Sequence, residues 1–275
     1  MPKLKKIFSF SGKGNIWRLI IDDRDNLVIE TRDTETKQVY FDYIDIESGK
    51  SILKNFRMPE KFWIGIEKVY NGIIYFHKFA KPDMPGHRGI IAYSIEENKI
   101  LWEKEELIFS FLHDEKIYCF TRGFEKNKNY TLDLLTGEIT SEIPDEMEFK
   151  NIRERAHNDE DYSEYKFPER YFPMQQIQGD FGVILEKLSS ENQVEGLIEF
   201  AVADELLFYN FHTKNSDGTY NNYFRVNDTV SGKILLDETI NKRTQSLIPD
   251  CFFLKGDKLF LLKETKKVLV YKLIK

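Results

Sequence analysis

The sequence predicts an all-β protein made of repeated sheets of four short antiparallel strands. Three observations predict it. A hairpin phrase recurs: FDYIDIESGKSILKNF, IAYSIEENKILWEKEE, TLDLLTGEITSEI and FRVNDTVSGKILLDET align on Gly49, Asn98, Gly137 and Gly232. A second phrase, a polar turn followed by four or five β-favouring apolar residues, lies upstream: RDNLVIET, YNGIIYFH, HDEKIYCF, ADELLFYN and KGDKLFLL. Anchored on Leu27, Ile73, Ile117, Leu206 and Leu259, it recurs at intervals of 46, 44, 89 and 53 residues. A unit of about 45 residues with three or four short strands is the signature of a propeller blade.

Each unit is read as strands A to D. Strand A is a short run such as NIWRLII, KFWIGIEKV, LIFSFL or LIEFAV, and the second phrase is strand B. The hairpin phrase gives strands C and D, turning on Gly or Asn, the residues that accept a positive φ. The last unit has only three strands, CFFLK, KLFLLK and KVLVYKLI, whereas an orphan strand, KKIFSF, precedes the first. Pairing the orphan with residues 268–274 closes a ring and removes two exposed edges. Residues 144–193 fill the doubled interval and do not read as a blade. PDEMEFKNIRERAHNDEDYSEYKFPER is charged and poor in β-branched residues, and in GDFGVILEKLSSEN the residues Phe181, Ile184, Leu185 and Leu188 fall at helical spacing. The expected architecture is therefore one β-propeller domain over 1–275, with five blades closed by the N-terminal strand. A partly helical insertion at 144–193 separates the third and fourth recognisable blades; six blades is the alternative.

The hairpins, with an aromatic-rich strand, a turn and a strand closing in Trp, resemble the repeats of quinoprotein-dehydrogenase-type (PQQ-repeat-like) propellers. YSIEENKILWEKE, with Trp102, and DLLTGEI carry the resemblance. WRLIIDDRDNLVIETRD and the stretch from Phe62 to Glu103 are similar to a bacterial family described as a domain of unknown function. The resemblance implies a propeller-like fold and no activity. It does not imply the quinone, because the adjacent cysteine pair of those dehydrogenases is missing, so no cofactor is expected.

A formal charge of −6, with both signs interspersed, argues against nucleic acid as a partner. No run of eighteen apolar residues and no secretory leader is read, so no membrane association and a cytoplasmic location are expected. Cys119 and Cys251 each lie in an apolar run and read as buried thiols in a reducing compartment. Trp17, Trp63 and Trp102 are expected to pack in the core between blades.

Function is expected on the face that carries the longest loops: 11–15, 80–88, 123–129, 214–222 and the insertion. HKFAKPDMPGHRG is the most loaded segment. It reads as a proline-braced loop in which His87 and Arg88 could bind an anion, or His77, His87 and Asp83 a metal. A ten-residue His spacing matches no metal motif, so no metal site is expected. Glu30 and Arg32 share one face of a B strand, either paired with each other or lining a central channel. No nucleophile motif occurs, and SGKGN lacks the spacing of a phosphate loop. The candidate ligand-binding residues are thus Glu30, Arg32, His77, Asp83, His87 and Arg88, with no catalytic residue named. The expected function is a non-catalytic binding module for an unknown protein or small polar ligand. The alternative is a hydrolase acting on a sugar-like substrate through channel-mouth carboxylates, with Glu30 as one of them.

Overall fold

The computed structural model describes residues 3–81, 84–172, 179–191 and 194–274. They form five separate antiparallel sheets, and the chain divides into two compact units, Lys13–Asp161 and Met1–Gly12 with Tyr162–Lys275.

The 13–161 unit holds three four-stranded sheets, each running edge to edge in chain order. The first comprises β2 (Asn15–Ile21), β3 (Asn26–Asp33), β4 (Gln38–Asp45) and β5 (Ser51–Phe56); β1 belongs to the other unit. The second comprises β6 (Ile64–Tyr70), β7 (Ile73–Lys81), β8 (Met84–Ser94) and β9 (Lys99–Lys104). The third comprises β10 (Ile108–His113), β11 (Lys116–Thr121), β12 (Lys128–Asp133) and β13 (Ile139–Ile143). Val28, Phe41, Ile64, Ile66 and Phe76 fill the layer between the first two sheets, and Tyr75, Trp102, Ile117 and Leu132 that between the second and third. Every residue from Asn26 to Arg32 is buried, so β3 is covered on both faces, which explains its continuous rather than alternating apolar run.

The hairpin turns are one device repeated. In DIESG, DLLTG and DTVSG the carboxylates of Asp45, Asp133 and Asp228 accept the backbone N–H groups of Ser48 (2.7 Å), Thr136 (2.8 Å) and Ser231 (2.9 Å). The N–H groups of Gly49, Gly137 and Gly232 then bond back to the carbonyls of those same aspartates, at φ of +68°, +66° and +70°. In the fourth copy Ser94 accepts from Glu97 and Asn98 takes the positive φ of +54°.

The other unit holds two five-stranded sheets. One is ordered β1 (Lys3–Ser11), β22 (Lys267–Ile274), β21 (Lys258–Lys263), β20 (Phe252–Lys255) and β14 (Tyr165–Lys166). The orphan strand pairs where expected, from Lys3 opposite Ile274 to Ser11 opposite Lys267. The other sheet is β15 (Glu169–Tyr171), β16 (Val194–Ala203), β17 (Leu206–Lys214), β18 (Tyr220–Asp228) and β19 (Ile234–Thr244). Phe208, Phe224, Ile240, Phe252 and Leu259 form the core between them.

The expectation of four strands in every sheet fails here: the two short strands β14 and β15, from the charged stretch after residue 158, extend these sheets to five. The described residues of the 144–193 segment also hold two helices rather than one. α2 (Asp180–Glu191) buries Leu185 and Leu188 against Tyr171, Ile198 and Phe200, as its spacing implied. α1 (Glu146–Asn158) was hidden by its charge. Asp145 caps it by accepting from Met147 N–H at 2.8 Å, acidic residues open it and Arg155 and His157 close it. Its buried face is only Phe149, Ile152 and Ala156.

Two expectations about side chains also change. Trp17 is 62% exposed instead of buried in the core. The reason is a one-residue bulge in β2 between Ile16 and Arg18, which breaks the alternation and turns Trp17 outward. The same bulge falls at Glu67 in β6 and at Ser110 in β10. Trp102 is buried as expected, and its indole N–H donates to the Leu134 carbonyl at 3.0 Å. HKFAKPDMPGHRG is not a loop but largely the facing arms of β7 and β8.

Candidate functional site

The expected site residues fall into two groups within the 13–161 unit. Glu30 and Arg32 lie two apart on β3 and form a buried ion pair, Arg32 Nε donating to Glu30 Oε1 at 2.7 Å. The remaining valences of both are used on the neighbouring sheet. Arg32 Nη1 and Nη2 donate to the carbonyls of Phe62 (3.0 Å) and Ile64 (2.5 Å), and Glu30 Oε2 accepts the Ile66 N–H at 3.2 Å. The guanidinium is ringed by Trp17, Phe62 and Phe79 at 5.3, 5.6 and 5.4 Å. Glu30 is fully buried with both oxygens engaged, so the pair fastens β3 to β6 and presents no carboxylate to a channel.

The second group is built on β6, β7 and β8. A register shift at His77 and the bulge at Glu67 aim both side chains to one side of the sheet, where they meet His87 from β8. The imidazoles of His77 and His87 stack 3.6 Å apart and within 7° of parallel. Both Nδ1 atoms converge on Glu67 Oε1, His87 at 2.7 Å and His77 at 3.1 Å. The His77 contact lies off the axis a hydrogen bond needs, so neither nitrogen of this buried ring is hydrogen-bonded. Gly65 makes the packing feasible: a Cβ there would stand 2.8 Å from His77 Cε1 and 3.2 Å from Arg32 Nη2.

Burial pushes the His77 imidazole below its usual pKa, outweighing the opposing pull of the adjacent Glu67 carboxylate, with the charges of His87 and Arg18 adding to the lowering. Burial alone would raise the Glu67 carboxyl, but the two imidazoles beside it, His77 and His87, hold it below the carboxylate range.

Glu67 also lines a cleft of about 720 Å³ whose walls include Lys68, Phe109, Phe111, Arg153 and Glu160. α1 forms one wall, held by Phe149 packing 5.4 Å from Phe111 and 6.2 Å from Tyr118, and Lys68 pairs with Glu160 at 2.9 Å.

The structure therefore brings His77 and His87 together and leaves Arg88 apart. Arg88 is exposed and faces Glu106 at 3.4 Å. Asp83 lies outside the described residues. Glu67 and the cleft residues escaped sequence reasoning. The signal in IGIEKVY was an acidic residue beside a lysine, with a glycine two residues before it, in a strand of otherwise β-favouring residues; it becomes meaningful only once the bulge sets its direction.

Residues 20–102, which carry both groups, match a family model. The family is described as a domain of unknown function, DUF4905. No curated protein matches the chain. Among solved structures it is similar to BamB from Moraxella catarrhalis, with 10% identity over 93% of this chain and 84% of that one and a TM-score of 0.30. It is also similar to a europium-containing methanol dehydrogenase, with 12% identity over 96% and 52% and a TM-score of 0.30. The third is the Dos1 propeller, with 11% identity over 94% and 67% and a TM-score of 0.32. Likenesses of this depth imply no function for this chain. Among the described residues no helix is long and apolar enough to cross a membrane.

Proposed function

We propose that the chain is a non-catalytic binding module of β-propeller type, and that its docking place is the cleft between α1, β6 and β10. One observation carries the reading: a cavity of about 720 Å³ whose walls combine apolar rings, Phe109 and Phe111, with cations, Lys68 and Arg153, and carboxylates, Glu67 and Glu160. Such a lining suits a small polar ligand bearing both charges, or a peptide segment of another protein, held by an apolar face and oriented by its ionic ends. The propeller arrangement is supported by the repeated D-x-x-S/T-G hairpins and by the pairing of β1 with β22. Two buried, unpaired thiols, Cys119 and Cys251, support a cytoplasmic location.

Three groups elsewhere that could serve catalysis are otherwise employed or unreactive. Glu30 is sealed within its ion pair. Burial pushes both cysteine thiols up to about 12, far from a reactive thiolate.

The test is a thermal-shift screen of zwitterionic metabolites and short charged peptides, followed by Arg153→Glu and Phe109→Ala variants. Hits should lose at least about tenfold in affinity in both. Hits whose affinity both variants leave intact would place binding elsewhere and sink the reading.

A further inference from the structure

We propose that Glu67, His77 and His87 form a binding site for one divalent transition-metal ion of the zinc type, through Glu67 Oε1 and the two Nδ1 atoms. The proposal does not depend on what the cleft binds. Three observations converge on it.

The first is the donor set. Two imidazoles and a carboxylate, with ligand atoms within 4.8 Å of one another, are the ligand types that borderline divalent ions take, whereas magnesium and calcium require oxygen. The second is the distances. A tetrahedral ion with bonds of about 2.0 Å holds its donors about 3.3 Å apart. Glu67 Oε1 now stands 2.7 and 3.1 Å from the two nitrogens, so the carboxylate must withdraw by a few tenths of an ångström. The rings are stacked within 7° of parallel, so the partly exposed His87 ring must also turn out of the stack to bring its in-plane lone pair onto the same ion as His77. The third is His77 itself. It is 1% exposed and neither ring nitrogen has a hydrogen bond, an arrangement that costs free energy unless some further partner is bound.

The His77 side of the site is rigid. His77 is fixed between Gly65, the stacked His87 and the edge of Phe79 at 5.1 Å, and strand pairing fixes its approach to His87. The sequence hid the site because ten residues separate the two histidines. An antiparallel hairpin removes that separation without any local metal motif. Three protein donors leave a fourth position, and Glu67 borders the cleft, so water or a ligand entering there would complete the shell.

The experiment uses the tag-free full chain, stripped with a chelator and titrated with Co²⁺. One ion per chain is expected, with the visible absorption of a four-coordinate site, displaced stoichiometrically by Zn²⁺. His87→Asn and Glu67→Gln should each weaken Zn²⁺ binding at least about tenfold with the circular dichroism unchanged, while His157→Asn leaves it intact. Should Glu67→Gln misfold, His87→Asn decides, because that ring is partly exposed. No stoichiometric uptake by the wild type, equal affinity in the His87 variant, or loss of binding in the His157 variant each overturns the proposal.

Discussion

At the residue scale, several buried polar side chains are held by backbone groups of their neighbours, and His212 shows what that means for acid stability. It is buried in β17, and its Nε2 accepts the Ile248 N–H at 3.1 Å, so the folded state needs the neutral ring. Burial lowers its pKa to about 4, against an unfolded value near 6.5. The unfolded chain then binds the proton first as pH falls. The stabilisation is whole above about pH 6.5 and is lost progressively down to about pH 4. Urea denaturation at pH 7 and pH 4.5 should show a fall in stability that His212→Gln makes shallower; an equally steep fall in the variant would refute the assignment. His212 lies at the end of a strand whose apolar run gave no hint of its acceptor role, because its partner is a backbone N–H 36 residues away. The candidate site was legible to the same extent. His77 and His87 stand out in any reading of HKFAKPDMPGHRG, and Glu30 with Arg32 reads as either a pair or a channel lining, of which the structure shows the pair. Glu67, which joins the histidines, depends on a bulge, and a bulge leaves no local mark in the sequence.

At the element scale, the hairpin turns were legible because their chemistry is local: an aspartate or serine accepts nearby N–H groups and a glycine or asparagine takes the left-handed conformation. Two of these turns separate backbone strain from packing. Gly232 has φ +70° and nothing within 4 Å of a built Cβ, so Gly232→Ala should cost about 1 kcal/mol from conformation alone. Gly137 has nearly the same φ, +66°, but its Cβ would stand 2.5 Å from Trp102 Cδ2. Gly137→Ala should therefore add an overpacking cost, for a total of about 2–4 kcal/mol. Chemical denaturation of the two variants measures the difference, and equal losses would show that Trp102 does not constrain the turn. The helices were legible unequally. α2 shows an apolar stripe, whereas α1 buries three side chains and depends on its Asp145 cap and end charges, signals weaker than the acidic composition around them. β14 and β15, two and three residues long, are too short to leave a periodicity and exist because sheet edges were available to them.

At the scale of the whole molecule, the repeat predicted the succession of sheets, and each recurrence of the B-strand phrase begins an inner strand: the second of each four-stranded sheet (β3, β7, β11) and the third of each five-stranded one (β17, β21). The division into two units was not legible, because it follows long-range contacts rather than composition: residues 1–12 join residues 162–275, while 13–161 form their own unit. Removing residues 3–11 tests this grouping. The truncated chain should melt at lower temperature, and hydrogen exchange should accelerate in β20–β22 while β6–β8 keep their protection. Uniform loss across both units would contradict it. The pairing of Lys3 with Ile274 also has a temporal side. On the ribosome β1 emerges early and its hydrogen-bonding partner emerges only when β22 has been made, so β1 must wait, unpaired, through the synthesis of everything between. The three sheets of residues 13–161 have all their strands long before that and can assemble meanwhile. The three lysines of β1, at positions 3, 5 and 6, suit that wait, since a charged strand is a poor template for the wrong neighbour.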